Sequence, residues 1–88
     1  MRTYFLKTNN TVIITNGETA KIFDAAPSGI YEGIDLYSEN AAEQLKRRFS
    51  QLSADGDLND YQDIYSPNEV AFEDIEEELE DAVLVFEE

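Results

Sequence analysis

Five consecutive residues, Thr11-Val12-Ile13-Ile14-Thr15, are β-branched, and Asn16-Gly17 follows them directly. Side chains branched at Cβ are stiff at χ1 and suit the pleated surface of a sheet better than the crowded surface of a helix. Asn-Gly is the strongest short hairpin signal, because both residues tolerate positive φ. Glu18–Phe23 alternates in part and would return antiparallel to Thr11–Thr15. Upstream, Thr3–Lys7 is β-prone and Thr8-Asn9-Asn10 supplies turn residues. Residues 1–24 therefore predict a three-stranded antiparallel meander.

The rest of the chain predicts helices to cover it. Asp24–Gly33 contains Pro27, Ser28-Gly29 and Gly33 and reads as a loop, with Ile34–Tyr37 as a short extended piece. Ser38 is a helix cap for residues 38–52, with Glu39 in the first turn. Ala41, Ala42, Leu45, Phe49 and Leu52 recur at helical spacing and form the face that covers the sheet. Lys46-Arg47-Arg48 sits late in this helix, where cations complement its dipole, and Glu43/Arg47 is an i,i+4 pair in the better orientation. Ser53–Tyr65 is a polar connector with a turn at Asp55-Gly56.

Ser66-Pro67-Asn68-Glu69 then has the form of a capping box with proline at the first helical position. It predicts a second helix over 66–81. Phe72, Ile75, Leu79, Val83 and Phe86 continue one helical stripe to the C-terminus, whereas Ala82–Phe86 is β-prone; the preferred reading is a helix to Asp81 and a strand over 82–87. The fold class is thus α+β: one domain over 1–88, its three-stranded meander packed by two helices, with a fourth strand at the C-terminus.

Composition narrows the function. Of the 88 residues, 42% are hydrophobic and ten are Tyr or Phe, too many for a wholly disordered acidic chain. There is no cysteine and no histidine, which removes disulfides, thiolate metal sites and the commonest general base. No glycine-rich phosphate loop is present, and no carboxylate pair is marked out for acid–base work. The expectation is a non-enzyme without cofactor or metal. No segment has the apolar length of a signal peptide or a membrane span, so the chain reads as soluble and cytoplasmic.

Charge is divided unevenly along the chain. Residues 1–48 carry six acids and six bases, whereas residues 49–88 carry fourteen acids and no base, so the whole net charge of −14 belongs to the second half. Seven of these acids, Glu73, Asp74, Glu76, Glu77, Glu78, Glu80 and Asp81, fall in nine residues. On a helix they occupy the face opposite Phe72, Ile75 and Leu79. Four i,i+4 pairs would then set acid against acid, each costing about 0.2–0.5 kcal/mol in an isolated helix. With a rise of ~1.5 Å per residue, the segment presents about one charge per 2 Å, near the roughly one per 1.7 Å of duplex DNA. The bland alternative is a solvated face that keeps the chain soluble.

The connector adds Asp55, Asp57, Asp60 and Asp63 beside Tyr61, an exposed ring suited to packing on the stem of an arginine. Asp55, Asp57 and Asn59 match the first three ligands of an EF-hand loop, but Asp60 stands where glycine is needed and Ser66 where glutamate is needed. Three cations in so acidic a chain make a poor phosphate site, so Lys46-Arg47-Arg48 reads as helix-end stabilisation. Gly29-Ile30-Tyr31 is also the opening tripeptide of a nuclease family, whose companion tripeptide and catalytic residues are missing here.

In size, charge and α+β architecture the whole chain resembles the small acidic DNA-mimic inhibitors of phages and mobile elements, several anti-CRISPR proteins among them. No residue motif contributes to the likeness. The resemblance implies a stoichiometric inhibitor that occupies a basic nucleic-acid-binding groove on a host protein, for instance a CRISPR effector, and does not itself bind nucleic acid. The seven acids of 73–81 would stand in for phosphates, and Asp55, Asp57, Asp60, Tyr61 and Asp63 would form a second partner-binding patch. The alternative is an antitoxin-like or regulatory interaction module that uses a sheet edge or an apolar face.

Overall fold

The computed structural model describes residues 1–24, 30–31, 33–58 and 68–87. The expected meander forms from β1 (Arg2–Leu6), β2 (Thr11–Thr15) and β3 (Thr19–Asp24), paired antiparallel in sequence order. At the first turn Asn10 takes a left-handed φ of 52°, which asparagine tolerates. At the second, the turn is displaced by one residue from the expected Asn16-Gly17. The Asn16 N–H donates to the Thr19 carbonyl at 3.3 Å, so Gly17 and Glu18 are the central pair. Gly17 alone takes the positive φ, at 93°. Asn16 serves instead through its side chain: Oδ1 accepts the N–H groups of Glu18 at 2.8 Å and Thr19 at 2.9 Å.

A two-residue hairpin follows, β4 (Ile30–Tyr31) with β5 (Ile34–Asp35). It lies partly within the stretch expected to be loop; residues 25–29 of that loop are outside the described residues. Helix α1 spans Ala41–Asp55, starting and ending three residues later than expected. Ser38 does not cap it directly. Its hydroxyl bonds to the Asn40 side chain and accepts the Asn40 N–H at 3.2 Å, forming a turn that precedes the helix. The helix stops where Gly56 adopts φ 77°, with Asp57 N–H on the Leu52 carbonyl at 2.9 Å and Gly56 N–H on that of Ser53 at 3.2 Å. This is a Schellman closure. Because the first residue able to close the helix is Gly56, Lys46-Arg47-Arg48 lies in mid-helix and its last turn holds no base. Glu43 meets Lys46 at 3.3 Å instead of the expected Arg47.

The larger correction concerns residues 66–81. Asn68–Ala71 is a strand, β6, paired antiparallel with β3. Only Phe72–Ile75 (α2) forms a turn of α-helix, and Glu78–Asp81 is a 3-10 turn. Ser66 and Pro67, the first half of the capping box, lie outside the described residues. Two causes act together. The open edge of β3 offers Asn68–Ala71 backbone partners that an isolated helix end lacks. The acids beyond repel one another and oppose the dipole at a helix C-terminus, so a long regular helix gains little there. The last segment, β7 (Val83–Glu87), is the expected C-terminal strand and pairs antiparallel with β1.

The five long strands make one antiparallel sheet in the order β6-β3-β2-β1-β7. Both faces of its centre are covered, and all five β2 residues are buried. On one face, Phe5, Val12, Ile14, Phe23 and Val85 pack with Ala41, Leu45, Phe49 and Leu52 of α1. Leu45 and Phe49 are fully buried, each contributing about 1.5–3 kcal/mol of transfer free energy. A bulge in β7 turns both Val85 and Phe86 to this side, where the Phe86 ring stacks on Phe49 with centroids 6.1 Å apart. On the other face, Ile13 and Ala20 meet Ile75, with Tyr4, Ile22, Val70 and Leu79 half-buried around them.

Candidate anionic interface

The acidic segment crosses this second face. It leaves β6 at one edge of the sheet and enters β7 at the other, so the chain between them has to pass over the intervening strands. Its start is tied down by the Phe72 N–H, which donates to the Glu18 carbonyl in the β2–β3 hairpin at 2.9 Å. From there α2 lies against β3 and β6, and the 3-10 turn lies against β1. Glu76 and Glu77 keep right-handed helical dihedrals, joining α2 to the 3-10 turn. The turn itself is held by i→i−3 bonds: Leu79 N–H to Glu76 at 3.2 Å, Glu80 to Glu77 at 3.3 Å and Ala82 to Leu79 at 3.1 Å.

The apolar positions expected to face inward do so. Ile75 is buried, and Phe72 and Leu79 are half-buried. Glu73, Asp74, Glu76, Glu77, Glu78, Glu80 and Asp81 are all exposed. Among the described residues none of these seven carboxylates forms an ion pair; the recorded pairs are Arg2 with Glu87 at 3.0 Å and Lys46 with Glu43. The Arg2 guanidinium is pushed to a higher pKa, first by the hydrogen bond and charge of Tyr4 and then by Glu87, so this cation is engaged at the β1–β7 seam. A mixed α and 3-10 path rises about 1.5–2 Å per residue. The charge density is therefore still on the order of one per 2–2.5 Å.

Of the second anionic patch, only Asp55 and Asp57 are among the described residues. Asp55 ends α1 and Asp57 follows it, both exposed, on the element that packs against the first face of the sheet. Asp60, Tyr61 and Asp63 lie outside the described residues. The described anionic surface is therefore the 73–81 segment. Sequence reasoning missed one feature of it: Glu78 and Asp81 border a shallow recess of about 170 Å³ with Leu6 at the end of β1 and with Thr8 and Asn9 of the β1–β2 turn. A recess lined by Leu6 and by two carboxylates suits a cationic side chain with an alkyl stem. Nothing in the spacing of Glu78 and Asp81 signals it, because the other wall comes from residues some seventy positions away.

No family model, curated protein or solved structure matches this chain. Among the described residues no helix is long and apolar enough to cross a membrane, and no three His, Cys, Asp or Glu side chains are grouped to hold a metal ion.

Proposed function

We propose that the protein is a non-catalytic decoy that binds the basic nucleic-acid-binding surface of a partner protein and blocks it, its carboxylates standing in for phosphates. An anti-defence inhibitor of the anti-CRISPR type is the biological setting this reading favours. The observation that carries it is the exposure of all seven carboxylates of residues 73–81 on a segment pinned by Ile75, with no cation of the chain recorded against them among the described residues. A surface shaped for solubility alone would intersperse lysines, which relieve repulsion without loss of solvation. A single-sign field of this kind steers a basic partner and accelerates its encounter. The recess beside Glu78 and Asp81 adds a place where one basic side chain of that partner can be held in a fixed register.

The test uses immobilised full-length protein, a lysate passed over it, and elution by a salt gradient. The decoy reading expects nucleic-acid-binding proteins to elute with salt, their own nucleic acid to compete for the same surface, and the combined variant Glu73→Lys, Glu77→Lys, Glu80→Lys to lose binding at least tenfold. Binding that survives this triple reversal unchanged would refute it.

A further inference from the structure

The sheet ends on β7, and no described strand lies beyond it. Natural edge strands are defended by charge, proline, a bulge or extreme shortness; the bulge in β7 follows Leu84 and leaves Val83 and Leu84 in regular register with β1. Val83-Leu84-Val85-Phe86 has neither a charge nor a proline. Of the three large apolar side chains exposed among the described residues, two are here, Val83 at 43% and Leu84 at 42%. The bulge directs Val85 and Phe86 to the α1 side, so Val83 and Leu84 are the part of β7 left open. Register sets Leu84 beside Tyr4, and Tyr4 beside Ile13 and then Ile22, so Leu84 ends an apolar row on one face of the sheet. Val83 stands next to Phe5 on the other face.

We propose that the outer edge of β7 receives a short extended segment of a partner protein as a sixth antiparallel strand. Two adjacent apolar residues of that segment lie against Val83 and Leu84, and basic residues flank them. Main-chain hydrogen bonds supply affinity in this mode and the alternating side chains supply specificity. The requirement for basic flanks comes from Glu80 and Asp81 before the strand and Glu87 within its end, all exposed. The same charges argue against a second copy of this chain as the occupant. A two-fold pairing centred between Val83 and Leu84 sets Glu80 and Glu87 of opposite copies against each other, in molecules that each carry −14. This strand addition goes beyond the decoy reading and does not use the outward acids of α2.

The test titrates the full-length, isotope-labelled protein with the peptide Lys-Lys-Thr-Val-Val-Thr-Lys-Lys and with the same peptide N-methylated on alternate residues, in both phases. The charge is identical in all of them, so electrostatic attachment alone gives equal affinities. Strand addition expects one methylated form, whose remaining N–H groups face β7, to bind as the unmodified peptide does, the other to bind at least tenfold more weakly, and the bound peptide to slow amide exchange at 83–87. The double variant Val83→Lys, Leu84→Lys should abolish that tenfold preference, and Glu73→Lys with Glu77→Lys, which tests the decoy surface, should leave it in place. Equal affinity for all peptides, slowed exchange confined to 72–81, or a peptide-free dimer that the double variant converts to monomer would each overturn the proposal.

Discussion

Replacing Ile75 with alanine changes no charge and should nevertheless remove the anionic surface. Ile75 is the only buried side chain in Phe72–Asp81, and its partners Ile13 and Ala20 form a small cluster apart from the α1 core. Loss of a buried isoleucine side chain costs about 2–5 kcal/mol, the lower end applying where the site can relax. This site sits on the more open face among half-buried neighbours, so about 2–3 kcal/mol is appropriate. Stability for a chain of this length is on the order of 5–10 kcal/mol, so the domain should remain folded while its acidic segment loosens. The loss at the global level is bounded by the docking free energy of the segment, since undocking is the cheaper response. Hydrogen exchange followed by mass spectrometry or NMR reads this directly. Peptides covering 72–82 should lose protection by roughly 30–150-fold, the equivalent of about 2–3 kcal/mol at 1.4 kcal/mol per decade. Those covering β1, β2 and α1 should change less. If 72–82 keeps its protection, or if the whole sheet loses it equally, the anchoring role given to Ile75 is wrong.

Other perturbations follow from separate features. Gly56→Ala should destabilise by about 1 kcal/mol, measured by urea unfolding, because φ is 77° there while the space a Cβ would enter is open. The contribution is purely conformational, so Gly56→Asn should recover part of it. Thr3 is fully buried and its hydroxyl has no hydrogen-bond partner among the described residues, so the near-isosteric Thr3→Val should raise the urea midpoint, by about 1–2 kcal/mol in stability. Self-repulsion in a chain of net charge −14 predicts a melting temperature that rises with added sodium chloride, as the Debye length shrinks from ~30 Å at 0.01 M to ~3 Å at 1 M. A melting temperature independent of salt would show that the acidic face is relieved by contacts other than those described here.

Local sequence chemistry determined the meander and α1. Five β-branched residues ahead of Asn-Gly have few alternatives to a strand and a turn, whatever surrounds them. The turn moved by one residue because the Asn16 side chain found two backbone donors, a choice made within four residues of chain. The face of α1 was equally legible, since a period of 3.6 places Ala41, Leu45, Phe49 and Leu52 on one stripe in any helix that contains them. For the candidate site, periodicity placed Ile75 and Leu79 inward and the seven carboxylates outward, and this survives the change from a regular helix to α2 and a 3-10 turn.

The tertiary structure decided what the segment before those acids became. Asn68-Glu69-Val70-Ala71 has little strand propensity beyond Val70 and follows what reads as a helix cap, yet the exposed edge of β3 recruits it. Edge pairing depends on which strand is left without a neighbour, and that is settled by contacts between residues about fifty positions apart. The same holds for β7, whose helical stripe and strand composition were both compatible with the sequence until β1 supplied a partner. These two pairings carry the acidic segment from one edge of the sheet to the other, and so place it across the second face. Its charge was written in the sequence. Its position, with Asp55 and Asp57 on an element packed against the opposite face, came from long-range strand pairing.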